Sequence, residues 1–199
     1  MFVCGVASGE VHHLHIREVL IMDTLSPICN RNEIEKLIAD KGILSDYVDL
    51  NTQLTPNGFD ITVEKVFKIT QKGSLDFSNK ERVLPETEEC TLKKNKPRDR
   101  FGWWELAAGV YKIRCNEYCS FPNDLIALAF PRSSLLRMGV FTHSAVWDAG
   151  FKGKSEFILS VQNPYGLRLK QNARVAQLVF FKIDATKHTY SGIFQDKGK

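Results

Sequence analysis

The chain has 199 residues, a formal net charge of +4 and 43% apolar residues, which is typical of one globular domain and excludes a disordered or fibrous protein. No apolar run approaches the ~20 residues of a membrane-spanning helix, and the charged segment 1–21 is unlike a signal peptide. We therefore expect a cytoplasmic protein without a membrane partner. Its basic side chains are scattered along the sequence, so we expect no nucleic-acid partner.

Residues 1–27 have no sustained hydrophobic period, and we expect a poorly ordered extension or an upstream start ahead of Met22. His12, His13 and His15 lie close together there, but we interpret them as part of this extension rather than as a metal cluster. The main domain is expected at residues 28–186, followed by a tail at residues 187–199.

The five cysteines stand at irregular positions and do not form a disulfide framework. Cys115 and Cys119 have the spacing of half a metal site, but no second pair of ligands lies nearby. Both lie in apolar alternation, which predicts buried thiols.

One amphipathic helix is predicted over residues 30–42. Asn30 or Asn32 can cap its first turn, apolar residues recur at helical spacing, and Gly42 follows the last turn as a stop. A helix of this kind packs its apolar side on another element.

Most of the remaining chain is predicted to form strands. The segments that are β-branched or alternate in hydrophobicity are 59–69, 110–115, 125–130, 157–162 and 175–183. Turn residues occupy 54–58 and 71–74, and a charged loop occupies 93–100. This pattern predicts a mostly antiparallel β-barrel or double-sheet jelly roll with a short N-terminal helix. Trp103 and Trp104 are adjacent, so one ring should enter the core and the other should face the surface or a subunit contact.

A group of polar side chains follows the apolar strand that Pro131 ends. Arg132 can fork onto two phosphate oxygens, and Ser133 and Ser134 can each donate a hydrogen bond. The next residues are amphipathic, which places this group at the start of a helix, and Arg137 adds a second positive charge. The segment is a candidate phosphate site.

A single carboxylate lies between two aromatic residues shortly afterwards. Asp148 follows Trp147 and precedes Phe151, with glycines at positions 150 and 153 that allow unusual backbone geometry. We expect this carboxylate to be partly desolvated and able to orient a water molecule. An Asp that only caps a turn is the alternative.

Four motifs together resemble the dUTPase and dCTP deaminase superfamily, in its order and at roughly its spacing. They are Asn57-Gly58-Phe59-Asp60, Pro131-Arg132-Ser133-Ser134-Leu135, Trp147-Asp148-Ala149-Gly150-Phe151-Lys152-Gly153 and Arg174-Val175-Ala176-Gln177-Leu178-Val179-Phe180. The similarity covers residues 32–195. Within the superfamily the chain looks like the archaeal dUTPases.

The resemblance implies a β-barrel homotrimer with active sites between subunits. The implied reaction is hydrolysis of dUTP to dUMP and pyrophosphate by Mg²⁺-assisted attack of water on the α-phosphate, which removes dUTP and supplies dUMP for thymidylate synthesis. Carried over by motif, Asp148 would orient the water and hold the sugar 3′-hydroxyl. Phe151 would pack on the deoxyribose, where family members often have Tyr.

The other motifs imply further contacts with the nucleotide. Arg132, Ser133 and Ser134 would bind the phosphates from a neighbouring subunit. Gln177 would contact base or phosphate, and Asp60 would help organise metal-bound water. Magnesium takes few protein ligands and keeps several waters, so the lack of a dense acidic cluster does not argue against it.

One position separates the two activities of the superfamily. Its deaminases have a glutamate ten residues beyond the Asp, where this chain has Ile158, which cannot transfer a proton. Glu156 lies two residues earlier on the same strand face, and a bulge would bring it into that position. A mono- or bifunctional dCTP deaminase therefore stays an alternative, as does a nucleotide-binding regulator without turnover.

The end of the chain departs from the Gly-rich arm of many dUTPases. It has one phenylalanine and one glutamine, and we expect Phe194 to stack on the base and Gln195 to contact substrate. The tail is predicted to act as a lid that orders only with nucleotide.

Overall fold

A computed structural model describes residues 26–198 of the chain. Most of the expected extension, residues 1–25 with the three clustered histidines, lies outside the described residues. Between residues 26 and 198, no helix is long and apolar enough to cross a membrane.

The described chain is mostly β-sheet, as the sequence predicts. Its helices are α1 (Arg31–Lys41), α2 (Leu50–Gln53) and α3 (Ser133–Arg137). Its strands are β1 (Leu44–Ser45), β2 (Leu54–Thr55), β3 (Gly58–Ile69), β4 (Thr87–Glu89), β5 (Trp103–Leu106), β6 (Gly109–Ser120), β7 (Leu125–Pro131), β8 (Val140–His143), β9 (Lys152–Val161), β10 (Leu167–Lys170) and β11 (Arg174–Lys182).

The residues that predict the ends of α1 are the residues at which the helix begins and ends. The Asn30 side chain accepts from the Glu33 amide, and the Glu33 carboxylate accepts from the Asn30 amide, which forms a capping box. Gly42 ends the helix in the left-handed conformation at φ 61°. Ile34 and Ile38 are buried, so α1 packs its apolar side on the sheet.

The main sheet curls until its two edges nearly meet. Its strand order is β7-β11-β3-β6-β9-β8, with β1 on β6 and with β2 and β4 on β3, all antiparallel. A bridge between Ala127 of β7 and Trp147, just before β9, joins the two edges. The expected barrel-like architecture is confirmed. A separate two-stranded ribbon pairs β5 with β10.

Alternation along the strands builds the core. On β6 the inward residues Ile113, Cys115 and Cys119 are buried between more exposed neighbours. The two cysteines are buried free thiols, as predicted, and burial raises the pKa of Cys119 to about 12. Within residues 26–198, no group of three His, Cys, Asp or Glu side chains is arranged to hold a metal ion.

Some strands are longer than the sequence indicates. β6 continues to Ser120, and β9 begins at Lys152 rather than near residue 157. The first half of β9 was missed because its inward positions, Gly153 and Ser155, are small rather than apolar. Sequence alternation is visible only where the inward residues are hydrophobic.

The tandem tryptophans divide as expected. Trp104 is buried, and its indole Nε1 donates to the Cys90 carbonyl at 3.1 Å. Trp103 faces outward on the ribbon, where Arg168 lies 4.3 Å from the ring centroid. The outer ring therefore belongs to a basic surface.

Candidate active site

A cavity of about 610 Å³ brings together three of the predicted site residues. Asp148, Phe151 and Phe194 line it, although Phe194 is 43 residues further along the chain than Phe151. The other lining residues come from β6, β9, the segment before Asp148 and the tail: Arg114, Ser144, Ala145, Val146, Trp147, Lys154, Ser155, Glu156, Tyr190, Lys197 and Gly198.

The turn that carries Asp148 is anchored on both sides. The Trp147 indole is buried and donates to Ser155 Oγ at 2.5 Å, and the Phe151 amide donates to the Asp148 carbonyl at 3.1 Å. Gly150 has φ 81°, and a Cβ there would lie 2.5 Å from the Thr189 side chain. This geometry requires glycine at position 150, two residues after Asp148.

Asp148 itself is exposed in the single chain. The expectation that its flanking aromatic residues desolvate it is wrong for one chain, because the Trp147 ring points into the core instead of over the carboxylate. Any desolvation of Asp148 has to come from substrate or from another subunit.

The tail forms one wall of the cavity. The Tyr190 ring packs edge-on against Phe151 at 5.5 Å between centroids. Further along, the Asp196 amide donates to the Lys152 carbonyl, and the Lys154 amide donates to the Lys197 carbonyl, each at 2.8 Å. These contacts place Phe194 at the cavity.

The expectation that the tail orders only with nucleotide stays a prediction. The packed tail lies at the edge of β9, where β8 pairs only with residues 158–161. The main-chain groups of Lys152 and Lys154 are left on that edge, and the tail pairs with them in the manner of an added strand. The Gln195 side chain serves the same packing, since it accepts from the Lys152 amide and donates to the Gly150 carbonyl, each at 3.0 Å.

Charged side chains of β6 and β9, among them Arg114 and Glu156, also line the cavity. Glu156 lies opposite Arg114 in the β6–β9 register and accepts from Lys112 Nζ at 2.9 Å. Ile158 lies opposite Lys112, outside the set of lining residues. The register shift between these strands falls on β6, between Arg114 and Tyr118, so β9 itself has no bulge at Glu156.

The predicted phosphate residues lie in a second cluster. Asp60 is buried, and its Oδ2 contacts Arg132 Nε at 2.9 Å and Arg174 Nη1 at 3.1 Å. Burial raises the pKa of Asp60, and the positive charges of Arg132 and Arg174 oppose that shift. Both guanidinium groups contact Oδ2, so Oδ1 is the Asp60 oxygen that could make the expected contact with metal-bound water.

The hydroxyl residues stand beside this cluster. Ser133 and Ser134 are exposed in the first turn of α3, which begins directly after Arg132, as the sequence predicts. Arg137 is exposed in its last turn. Gln177 lies opposite Asp60 in the β3–β11 pairing and donates through its side chain to Thr55 Oγ1.

The two clusters are held apart by the length of β7. Ala127 bridges Trp147, the neighbour of Asp148, and Arg132 lies five residues further along the same strand direction. At a rise of ~3.3 Å per residue this is about 16 Å of backbone. In one chain, Arg132, Ser133 and Ser134 are accordingly not among the residues that line the Asp148 cavity.

Sequence reasoning missed two residues of these clusters. Arg174 lies within one of the four motifs and completes the ion-pair group around the buried Asp60, but the sequence predicts no role for it. Tyr190 is predicted only as part of the tail and not as the partner of Phe151. A sequence signal existed only for Arg174, whose register opposite β3 follows from the antiparallel pairing of two long strands.

Comparison with known proteins places these features in one group of sequences. A family model described as dCTP deaminase-like matches residues 28–183. The chain is 42% identical over 168 residues to a probable deoxyuridine 5′-triphosphate nucleotidohydrolase of Archaeoglobus fulgidus, covering 84% of this chain and 95% of that protein. It is 38% identical over 145 residues to the deoxyuridine 5′-triphosphate nucleotidohydrolase of Methanocaldococcus jannaschii, covering 73% and 88%.

A solved structure shares the fold. The 2′-deoxycytidine 5′-triphosphate deaminase from Agrobacterium tumefaciens superposes with a TM-score of 0.57 at 19% identity. The match covers 78% of this chain and 48% of that chain. At this identity the likeness concerns the fold and the order of its elements.

Proposed function

The chain belongs to the dCTP deaminase-like family, and we propose that within it the protein is a dUTP diphosphatase that hydrolyses dUTP to dUMP and pyrophosphate. The observation that carries this proposal is Asp148, which a glycine-dependent turn holds beside two aromatic rings in one cavity. The similarity to relatives named for dUTP hydrolysis, over nearly their whole length, supports the same activity.

Asp148 acts on the water and on the sugar. A carboxylate accepts hydrogen bonds through two oxygens, so it can hold the 3′-hydroxyl of deoxyribose and orient a water molecule for attack on the α-phosphate. Its rigid turn keeps that water in line with the leaving pyrophosphate. The proton released by the water passes to the carboxylate.

The aromatic residues select the nucleoside. Phe151 is fixed by Tyr190 and presents a ring face to the deoxyribose, where a 2′-hydroxyl would be both crowded and unpaired. Phe194 is half exposed at the cavity mouth and stacks on the base. The Phe151 contact is apolar, so it favours a deoxynucleotide over a ribonucleotide.

Arg132, Ser133 and Ser134 bind the phosphate chain. Asp60 holds Arg132 by its Nε at 2.9 Å and so orients the guanidinium group, whose Nη1 also donates to the Arg174 carbonyl at 3.5 Å. Arg174 shares the same carboxylate and balances its buried charge. Asp60 thus positions the phosphate-binding arginine, in addition to its expected contact with metal-bound water.

The residues present are compatible with Mg²⁺ held mainly by the nucleotide. Asp148 and Glu156 are exposed carboxylates that line the cavity, and the Asp60 carboxylate retains one oxygen outside its two arginine contacts. Magnesium takes one or two protein carboxylates plus phosphate oxygens and waters, which this donor set can supply. When bound, the ion neutralises charge on the phosphates and stabilises the leaving pyrophosphate.

A complete site needs more than one subunit. The ~16 Å of β7 between the two clusters is bridged if Arg132 of one subunit reaches the Asp148 cavity of another. We propose a homotrimer with three such sites, in which closed rotational symmetry gives every cavity one arginine cluster.

A second candidate activity is deamination of dCTP in the same cavity. It is favoured by Glu156, the one glutamate that lines the cavity with Asp148. Against it, the Lys112 ammonium pairs with that carboxylate, and Ile158 occupies the position where the family's deaminases have their proton-transferring glutamate.

Separate incubations with dUTP and dCTP, followed by resolution of the products, test these proposals. We expect dUMP and pyrophosphate from dUTP and no reaction of dCTP. If dUTP or dUMP forms from dCTP, and Glu156→Gln removes that reaction while dUTP hydrolysis persists, the enzyme is bifunctional. Tight binding of dUTP without any product would make the protein a regulator.

A further inference from the structure

A second candidate binding surface lies on the β5–β10 ribbon, away from the residues of the dUTP site. We call the ribbon face the loop 93–101 together with the outward side chains Trp103, Glu105, Arg168 and Lys170. We infer that the ribbon face binds single-stranded nucleic acid. The proposal is independent of the proposed hydrolase activity.

The ribbon separates an inner from an outer side. Trp104 and Leu169 point inward and are buried, whereas Arg168 and Lys170 are exposed on the opposite side. Pairing places Lys170 opposite Trp103. The outer side therefore combines an aromatic ring with two cations, and the chain buries none of them in its own core.

The fold gathers basic residues that are far apart in the sequence. Segments 93–105 and 167–172 contain seven of the chain's 27 basic side chains and two of its 23 acidic ones, so the rest of the chain has 20 basic and 21 acidic residues. The whole positive excess of the chain thus lies in these two segments. The sequence argument against nucleic acid assumed scattered charge, and folding removes that premise.

The surface is held in shape before any ligand arrives. Arg168 lies over the Trp103 ring at 4.3 Å, donates to Glu105 Oε1 at 2.8 Å and donates to Asn95 Oδ1 at 2.6 Å. Lys93 and Trp103 exchange two main-chain hydrogen bonds of 2.8 Å, which fasten the start of the loop to the ribbon. Preorganised cations lose less entropy on binding than free surface lysines do.

A cavity on this surface fits a nucleotide unit. It has a volume of about 410 Å³ and is lined by Lys96, Arg100 and Lys170, by the rings of Phe101 and Trp103, and by Asn95 and Asp99. Cations that follow a backbone and aromatic rings that stack on bases are the two components of sequence-tolerant recognition of single strands. Copies of this face repel one another, which argues against a contact of the face with itself.

Fluorescence anisotropy with a labelled oligodeoxythymidylate of about twenty nucleotides tests the proposal, with saturating dUMP to block the hydrolase site. We expect binding that weakens from about 50 to 200 mM salt. Lys96→Ala combined with Arg100→Ala should lower the slope of log K against log salt by about 1.4, because each phosphate contact on a single strand contributes ~0.7.

The matched control is Lys36→Ala combined with Lys41→Ala on α1, which removes the same charge elsewhere and should leave binding unchanged. Trp103→Ala should weaken binding about fivefold or more, and Trp103→Phe should restore most of it. Thermal melting checks that each variant is folded. No binding at the low salt concentration, or equal loss with the α1 variant, would overturn the proposal.

Inorganic polyphosphate and a duplex of the same length complete the test as competitors. A stacking surface prefers the single strand to both. If polyphosphate competes equally and Trp103→Ala has no effect, the ribbon face is a nonspecific anion surface and the inference is wrong.

Discussion

At the scale of single residues, one buried carboxylate and one exposed carboxylate have opposite functions. Asp60 is buried and paired with two guanidinium groups, so we propose that it mainly positions other side chains. Asp148 stands exposed on a rigid turn with space in front of it. Reaction chemistry requires the second arrangement, because a group that orients water has to reach that water.

Asp148→Asn should lower turnover of dUTP by about 10²–10⁴-fold, because the amide keeps the shape but removes the charge that orients water. Nucleotide affinity, measured by calorimetry with a non-hydrolysable dUTP analogue, should change little. Turnover at the wild-type rate would refute the role of Asp148.

Glu117 is a second buried carboxyl group. Unlike Asp60, it has no part in the proposed reaction. It lies in the β6 irregularity and accepts from Gln53 Nε2 at 2.7 Å, Thr62 Oγ1 at 2.6 Å and the Thr62 amide at 3.0 Å. Burial raises its pKa, and hydrogen bonds from Thr62 and Gln53 oppose the shift. Its neutral form is therefore favoured by folding.

At acid pH the protonated Glu117 carboxyl carries one hydrogen among three donors, whereas the amide of Glu117→Gln carries two, so the variant should lose about 1–3 kcal/mol of unfolding free energy there. Because the folded pKa lies above the ordinary 4.5, the stability that Glu117 contributes is present below that value and is lost as pH rises through the folded pKa. The difference in unfolding free energy between wild type and Glu117→Gln, measured by urea denaturation, should therefore become smaller as pH rises.

Glu33→Gln provides the control of opposite sign. The Lys182 hydrogen bond lowers the pKa of Glu33, so the stability from Glu33 is present above the ordinary value and is lost as pH falls. The gap between wild type and this variant should narrow towards acid pH. Parallel pH profiles of the two variants would contradict at least one of the two assignments.

At the scale of elements, the sequence predicted α1 and the long apolar strands, because helix caps and hydrophobic alternation depend only on residues that are near one another in the chain. Asn30 and Gly42 bound the helix as expected. The β5–β10 ribbon was not predicted, since its four-residue strands show too little alternation. Nor was the contact of Arg174 with Asp60, which are 114 residues apart and meet only through strand pairing.

The tail is the element whose role is easiest to test. Deletion of residues 190–199 removes Phe194 and the partner of Phe151, so we expect a severe loss of turnover. Phe194→Ala alone should raise KM for dUTP roughly tenfold through lost stacking. Phe77→Ala is the matched control, because Phe77 is fully exposed on another loop and should leave KM unchanged. Near-full activity of the deletion variant would exclude a lid.

At the scale of the whole molecule, the central feature is that the Asp148 cavity and the arginine cluster lie apart in one chain, and we propose that they are two halves of a site that subunits share. The sequence motifs predicted both halves by resemblance but could not place them relative to each other. The length of β7 separates them within one chain. In a closed, rotationally symmetric trimer, every cavity would receive an arginine cluster from a neighbouring subunit.

Mixing two inactive variants tests the shared site. Arg132→Ala and Asp148→Asn should each be inactive alone, whereas randomly mixed trimers should regain about one quarter of wild-type turnover, because that fraction of sites receives both intact residues. The variants are unfolded and refolded together, and each variant refolded alone is the control. No recovery in mixed oligomers would place both residues in one chain's site or outside it.

The reaction itself is tested most directly by single turnover of dUTP in water labelled with heavy oxygen, followed by mass spectrometry of the products. The account predicts that the label appears in the phosphate of dUMP and not in pyrophosphate, because water oriented by Asp148 attacks the α-phosphorus. Label in pyrophosphate, or dUTP recovered unchanged, would contradict it.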